Sequence, residues 1–206
     1  MTQVTTDTVA AASGASSWDE LVAVVQGCVA CDELAASRTR VVAGQRPPGA
    51  EVLLVGEAPC AQEDETGVPF VGRSGQLLDQ LLGEAGLRRE QVAVANVLKC
   101  RPPANRTPRR AEVARCRPWL TRQVELVDPR VVVALGSTAA AWFFGPSARI
   151  GALRQLSLAE PLTYDGRALL VTYHPSAAIR FGPNGEPLAA LRADLSRVAA
   201  LLAAPS

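Results

Sequence analysis

Four of the five cysteines have the spacing of a metal-binding set. Cys28 and Cys31 form a C-x-x-C pair, and Cys100 and Cys116 follow much later in the chain. A close pair with two further thiols can bind tetrahedral Zn²⁺ or an iron–sulfur cluster, and the spacing does not choose between them. Buried free thiols that pack as small hydrophobic groups are the alternative. We expect a metal site, because clustered cysteines in reducing compartments usually bind metals or take part in catalysis.

The single histidine lies where an apolar run meets a proline turn. His174 is followed by Pro175 and Ser176, which places an imidazole and a hydroxyl at one point of the chain. One histidine excludes a metal site with two histidine ligands and an acid–base pair of histidines. A lone histidine is more often structural, but this position makes His174 a candidate catalytic residue.

Three further side chains follow apolar runs and suit the binding of a small polar ligand. Gly56 forms a tight turn that presents the carboxylate of Glu57. The amide of Asn96 can read a polar edge through its donor and acceptor, or it can cap a turn. Phe70 is either a core aromatic residue or a stacking surface for a planar ligand.

Positive charge is concentrated in one segment. Eight basic residues and one acidic residue lie between Lys99 and Arg122, although the whole chain has a net charge of +1. Such a local excess is typical of surfaces that bind polyanions, and a solvated helix face is the alternative.

The elements that must position these residues are predicted by hydrophobic periodicity. Short, nearly continuous Val, Leu and Ala runs suit strands that are buried on both faces. Amphipathic segments between them predict helices, and Ser17 begins an earlier helix as its N-cap. This alternation predicts an α/β fold with a parallel sheet and helices on both faces, in which ligands bind at the carboxyl ends of the strands. The predicted strands are Glu51–Val55, Gln91–Ala95, Arg130–Leu135 and Ala168–Thr172, and the predicted helices are Ser74–Ala85, Arg109–Val127, Thr138–Phe144 and Leu188–Leu202.

Length and composition indicate one globular domain. The chain has 206 residues, of which 48% are hydrophobic and 20% charged, and this excludes wholesale disorder. We expect a domain over residues 17–206 and a disordered tail over residues 1–16, which are rich in Thr, Ala, Ser and Gly. Neither a membrane span nor a secretory signal is expected from the apolar runs. We therefore expect a cytoplasmic protein.

Several unlinked motifs together resemble the family 4 uracil-DNA glycosylases, the iron–sulfur type of bacteria and archaea. The motifs are Gly56-Glu-Ala-Pro, Pro69-Phe-Val-Gly72, Asn96-Val-Leu-Lys-Cys-Arg-Pro-Pro103, Asn105-Arg106, Cys116-Arg-Pro and His174-Pro-Ser176. The resemblance implies a three-layer α/β/α sandwich with a central four-stranded parallel sheet. It also implies hydrolysis of the N-glycosidic bond of deoxyuridine in DNA, which releases uracil and leaves an abasic site. Cys28, Cys31, Cys100 and Cys116 would hold a structural [4Fe-4S] cluster.

The resemblance assigns roles to individual residues. Glu57 would lie near the attacking water, and His174 would stabilise the developing charge on uracil O2. Phe70 would stack on the flipped base, Asn96 would read its polar edge, and Glu63 would lie close to C5. The remaining substrate-pocket residues would be Gly56, Ala58, Cys60 and Ser176. Phosphate contacts would come from Arg101, Arg106, Arg109, Arg110 and Arg180, and the wedge that fills the vacated stack would come from Ile179, Arg180 or Phe181.

One residue departs from the family pattern. The first motif usually ends in Gly, but residue 60 is Cys, and cysteine adopts positive φ poorly. This leaves open a non-catalytic or altered-specificity binder of deaminated bases in DNA. A zinc- or cluster-stabilised nucleic-acid protein unrelated to uracil is a further alternative. For the enzyme, we expect single- or double-stranded uracil-containing DNA as the partner, a monomeric state, and downstream enzymes of base-excision repair.

Overall fold

The computed structural model describes residues 2–204, which form ten α-helices and five β-strands. The strands are β1 (Val52–Gly56), β2 (Val92–Asn96), β3 (Val131–Leu135), β4 (Leu162–Tyr164) and β5 (Arg167–Thr172). The helices are α1 (Thr2–Gly14), α2 (Trp18–Gln26), α3 (Asp32–Ser37), α4 (Ala61–Thr66), α5 (Arg73–Glu84), α6 (Arg110–Val127), α7 (Ser137–Phe144), α8 (Ile150–Ala159), α9 (Pro175–Phe181) and α10 (Glu186–Ala203). None of the helices within this range is long and apolar enough to cross a membrane.

The strands form one sheet in the order β2-β1-β3-β5-β4. The four long strands pair in parallel, so their carboxyl ends lie along the same edge. Strand β4 runs antiparallel to β5 at the end of the sheet. Every residue of β1, β2 and β3 is buried, as their continuous apolar sequences predict.

Helices cover both faces of the sheet and give it a three-layer α/β/α architecture. Alternate strand residues such as Leu54 and Val133 pack on one face against α5, α9 and α10. Their neighbours, such as Val55 and Ala134, pack on the other face against α2, α6 and α7. The predicted fold class is therefore confirmed, and both core layers consist of the apolar runs that the sequence contains.

The predicted four-stranded sheet was one strand short. The additional strand, β4, has only three residues and joins β5 through Asp165 and Gly166, both at positive φ. Such a short edge strand leaves no run of alternating residues to detect in the sequence. The four predicted strands and the five predicted helices are present, and their boundaries differ from the predicted ones by at most two residues.

The N-terminal segment differs from the predicted disordered tail. Residues Thr2–Gly14 form α1, which packs against α6, and Ala12 and Ala15 are buried. Small residues allow close helix contact without the strong apolar pattern on which sequence prediction depends. The predicted tail began at Met1, which lies outside the described residues.

Candidate active site and cysteine cluster

A cavity of about 470 Å³ lies at the carboxyl ends of β1, β3 and β5. Its lining includes Glu57, Ala58, His174, Ser176 and Arg180, which were all selected from the sequence. The loops after these parallel strands converge here because the strands share one direction.

The imidazole of His174 is fixed by the residues that follow it. His174 is the N-cap of α9, and its Nδ1 accepts a hydrogen bond of 3.1 Å from the backbone N–H of Ser176. Ser176 Oγ lies 2.8 Å from the same nitrogen. Since Nδ1 is an acceptor, the hydrogen of the neutral ring is on Nε2. Burial lowers the pKa of His174 to about 4, so the ring is neutral at physiological pH.

Gly136, at the end of β3, allows this close arrangement. Its φ is +90°, and a Cβ at this position would lie 3.0 Å from Cβ of His174. A larger residue would be strained in its backbone and would push the histidine away. Beside it, the hydroxyl of Thr138 in α7 donates a hydrogen bond to Oε2 of Glu57. Glu57 and His174 therefore both have a fixed hydrogen-bond partner.

Phe70 and Asn96 lie next to the cavity but do not line it. Both are buried, with 5% and 2% of their surface exposed, and both contact Gly56. A Cβ at Gly56 would lie 2.3 Å from Asn96 Oδ1 and 2.7 Å from Phe70 Cζ, so only glycine fits between them. The ring centroids of Phe70 and His174 are 5.9 Å apart, which connects this group to the cavity. The amide nitrogen Nδ2 of Asn96 is buried without a hydrogen-bond partner.

Glu63 holds the loop that carries Phe70, and its carboxylate does not reach the cavity. Oε2 accepts a hydrogen bond from the N–H of Cys60 at 2.8 Å, and Oε1 accepts one from the N–H of Phe70 at 2.6 Å. Burial raises the pKa of Glu63. Phe70 has φ of +56°, so the carboxylate fixes a backbone conformation that phenylalanine rarely adopts. Both carboxylate oxygens therefore contact backbone groups, and the expected position of Glu63 close to C5 of the base stays a prediction.

Cys60 is free of the backbone strain that the sequence suggested. Its φ and ψ are −88° and −177°, an extended conformation that any residue adopts, and it begins α4 as the N-cap. Positive φ is therefore not needed at this position, and the effect of Cys60 on activity stays a prediction. Cys60 is half-buried, and it is not among the residues that line the cavity.

The four other cysteines line a single cavity in a different part of the molecule. Cys28 and Cys31 lie between α2 and α3, Cys100 follows β2, and Cys116 lies in α6. Within residues 2–204, no three His, Cys, Asp or Glu side chains are close enough to hold a single metal ion. A [4Fe-4S] cluster binds each cysteine to a different iron atom, so its ligands surround a volume instead of a point. Burial raises the pKa of Cys116 to about 12 and also raises the pKa of Cys31 and of Cys100.

Lys99, the only lysine, connects the cysteine cavity to Asn96, whereas the sequence analysis counted it only as part of the basic segment. Its side chain is 1% exposed, and Nζ donates hydrogen bonds of 2.5 Å to the carbonyl oxygen of Asn96 and to Oε1 of Gln123. Burial lowers the pKa of Lys99 to about 8, and the nearby thiols of Cys116 and Cys100 oppose this change. The only sequence feature that singles out Lys99 is that it is the one lysine in an Arg-rich chain.

The arginines expected to contact phosphate differ in whether a carboxylate neutralises their charge. Arg106 forms a bidentate ion pair with the buried carboxylate of Glu112, and Arg109 pairs with Glu33. Arg101 donates a hydrogen bond to Oδ1 of Asn105. Arg110 and Arg180 are both exposed, and the guanidinium of Arg180 lies 5.3 Å from the ring centroid of Phe181.

Comparison with known proteins assigns this architecture to a family. The family model described as the Uracil DNA glycosylase superfamily matches residues 43–196. The type-4 uracil-DNA glycosylase of Thermotoga maritima is 44% identical over 162 residues, which cover 78% of this chain and 82% of that protein. The type-4 enzyme of Sulfurisphaera tokodaii is 38% identical over 173 residues, which cover 81% of this chain and 78% of that protein. A type-5 enzyme of Pyrobaculum aerophilum is 30% identical over 189 residues, which cover 77% of this chain and 82% of that protein.

The fold, with its cavity at the strand ends, and the family model define a protein of the uracil-DNA glycosylase superfamily. Within that superfamily, the chain belongs to the type-4 uracil-DNA glycosylases.

Proposed function

We propose that this chain hydrolyses the N-glycosidic bond of deoxyuridine in DNA at the cavity beside His174. Membership in the type-4 family supports the reaction class. The observation that carries the choice of site is the hydrogen bond from the Ser176 N–H to Nδ1 of His174. This bond leaves Nε2–H of a neutral imidazole as a fixed donor in the cavity.

His174 acts on the leaving group. The bond between C1′ and N1 breaks with its electron pair on the base, so uracil leaves as an anion whose charge is shared with O2. A donor fixed in advance at O2 lowers the barrier by ~3 kcal/mol. A neutral imidazole with Nε2–H provides this donor without transferring its proton.

Glu57 acts on the sugar side of the same bond. Its carboxylate, held by Thr138, orients the water that adds to C1′ and accepts the proton of that water. The same negative charge stabilises the positive sugar while the bond is breaking. The product is an abasic site and free uracil.

Recognition of uracil rests on Phe70 and Asn96. The base leaves the stack at a cost of a few kcal/mol and is held against an aromatic face. The amide of Asn96 has an acceptor for N3–H and a donor for O4, and Nδ2 is a buried donor without a partner. An unpaired buried donor favours the base that satisfies it.

The four cysteines of the second cavity are our proposed ligands of a [4Fe-4S] cluster. Type-4 membership and the four thiols around one cavity support this assignment. When bound, the cluster joins the segment before α3 to the end of β2 and to α6. Its role is structural, because no thiol of this set lies among the residues that line the cavity of His174.

The partner is uracil-containing DNA, in single or double strands, bound by a monomer. Phe181, which is 63% exposed at the end of α9, is the best-placed wedge among the three candidates. Enzymes that process abasic sites follow in the repair pathway. The substrate and the reduced thiols favour action in the bacterial cytoplasm, at the nucleoid.

The test is the release of uracil by the purified, iron-loaded protein. Single- and double-stranded oligonucleotides with one deoxyuridine are incubated with the protein, heated in alkali and separated by length, and free uracil is measured by chromatography. Strand breaks and free uracil are expected, and thymine at the same position stays intact. If both uracil substrates stay intact, the proposed function is wrong.

A further inference from the structure

A second groove of about 500 Å³ lies beside the active-site cavity, between the first half of α6 and α7. Ser137 lines both the groove and the cavity. Thr138 lines the groove, and its hydroxyl donates the hydrogen bond to Glu57 in the cavity. The groove and the cavity therefore share a wall.

The walls of the groove are mainly apolar. Trp142, the largest of them, is only 1% exposed and lies beneath Arg117, so the accessible wall consists of the smaller residues from both helices, the segment before α6 and the loop after α7. A nucleobase presents two apolar faces and stacks on such surfaces. The apolar lining residues are Pro108, Val113, Ala114, Ala141, Trp142, Pro146 and Ala148.

Two arginines give the groove a positive charge. Arg110 is exposed at the first residue of α6. The guanidinium of Arg117 lies 4.3 Å from the ring centroid of Trp142 and donates a hydrogen bond of 3.0 Å to its carbonyl oxygen. No acidic residue is among those that line the groove. Arg106 and Arg109, by contrast, are neutralised by Glu112 and Glu33, whereas neither Arg110 nor Arg117 forms an ion pair with a carboxylate of the described residues.

We propose that the groove binds the nucleotide next to the target deoxyuridine in the same strand. Its base lies on the apolar wall, and its phosphate contacts Arg110 and Arg117. The groove is as large as the cavity that takes the deoxyuridine, and the two share Ser137. This inference rests on the proposed function, since it names a further substrate contact of the same site.

The first test removes one base at a time from the substrate. Single-stranded oligonucleotides carry deoxyuridine with an abasic spacer at the 5′ or the 3′ neighbouring position, so that every phosphate remains. We expect one of the two spacers to raise the Kd, measured by fluorescence anisotropy, by about tenfold. The other spacer leaves the Kd close to that of the intact strand. Equal Kd values for all three strands would overturn the proposal.

The second test fills the groove. Ala141→Phe places a ring in the groove and is expected to weaken binding of the intact strand by a similar factor. With the spacer strand that binds more weakly to wild type, Ala141→Phe causes no further rise in Kd. The spacer and the substitution each remove the same contact between the base and the groove, so their effects do not add. Ala200→Phe, at an exposed position in the last turn of α10, which contacts Arg130 at the amino end of β3, behaves as wild type. Independent, additive losses would contradict the proposal.

The third test concerns the phosphate contact and uses a substitution at an exposed residue, which leaves the packing of the protein unchanged. Arg110→Ala is expected to weaken binding of every strand and to reduce the slope of log Kd against log salt by about one. Arg88→Ala, an exposed arginine before β2 at the other edge of the sheet, is the matched control and leaves the slope unchanged. Equal slopes for the two variants would overturn the phosphate contact. Binding is measured apart from cleavage, so a protein that binds as described but releases no uracil would refute the proposed function alone.

Discussion

At the scale of single residues, the proposed chemistry depends on which nitrogen of His174 carries the hydrogen. The residues His174-Pro-Ser predict a turn, whereas in the structure Pro175 begins α9, because proline suits the first helical position. The structure adds that this start brings the N–H of Ser176 to within 3.1 Å of Nδ1. The sequence therefore identified the residue, but its tautomer follows only from three-dimensional geometry.

The lowered pKa of His174 predicts how stability changes with pH. The ring has an ordinary pKa of 6.5 when unfolded and about 4 when folded, so the folded state binds fewer protons between these values. The contribution of His174 to the free energy of unfolding is complete above pH 6.5 and decreases as the pH falls towards 4. Urea unfolding of wild type and His174→Gln at several pH values measures it. We expect wild type to lose stability relative to the variant over this range, and a constant difference would contradict the lowered pKa.

Cys60 is expected to be neutral for activity. Its backbone is extended, and the hydrogen bond that its N–H donates to Glu63 is one that glycine also makes. We expect Cys60→Gly to keep kcat/KM for uracil release within about twofold and to change the free energy of unfolding by ~1 kcal/mol or less. A tenfold change in kcat/KM would restore Cys60 as a determinant of activity.

At the scale of elements, Glu63 joins α4 to the loop that carries Phe70. Its two oxygens accept hydrogen bonds from two backbone N–H groups, and neither contact involves the substrate. The family resemblance implies a position close to C5 of the base, and a motif does not reveal the direction of a side chain. From the observed contacts, we expect Glu63 to act on uracil indirectly, through the position of Phe70.

Removal of the Glu63 carboxylate should affect both stability and substrate binding. Glu63→Ala leaves two N–H groups unpaired, which costs ~2–4 kcal/mol of unfolding free energy, and it raises KM because Phe70 is less well held. Glu63→Gln keeps one acceptor and recovers part of both losses. Glu65→Ala, an exposed residue of the same helix, is the control for chemical unfolding and for kinetics. If Glu63→Ala matched this control, the carboxylate would have no positioning role.

Lys99 is the corresponding link between β2 and α6. Its Nζ donates to the carbonyl of Asn96 in β2 and to Gln123 in α6. We expect Lys99→Met to cost ~2–4 kcal/mol of unfolding free energy, because it leaves two buried acceptors without donors. Denaturant unfolding measures this loss, with the exposed Arg88→Met as control. Equal stability of the two variants would contradict the assigned contacts.

At the scale of the whole molecule, the sheet was predictable and its periphery was not. Runs such as Val131–Leu135 are apolar at every position, which few structures other than a buried strand accommodate. The sequences of strand β4 and helix α1 have little hydrophobic periodicity. Whether these two elements form therefore depends on tertiary packing against their neighbours.

The surface charge illustrates the same limit. The Arg-rich segment was visible in the sequence, but Glu33 pairs with Arg109, which lies 76 residues later. Which arginines are neutralised and which face a groove depends on such distant contacts. The sequence was enough to name the candidate site residues at the strand ends. It was not enough to predict the groove beside α7.

The most direct test of the central claim is a single-turnover comparison of wild type with His174→Ala on a uracil-containing oligonucleotide. If Nε2–H stabilises the leaving uracil, the rate of bond cleavage falls by ~10²–10³-fold, while the Kd for the strand changes little. Circular dichroism and thermal unfolding establish that the variant is folded. An unchanged cleavage rate, or a loss of binding as large as the loss of rate, would contradict the account.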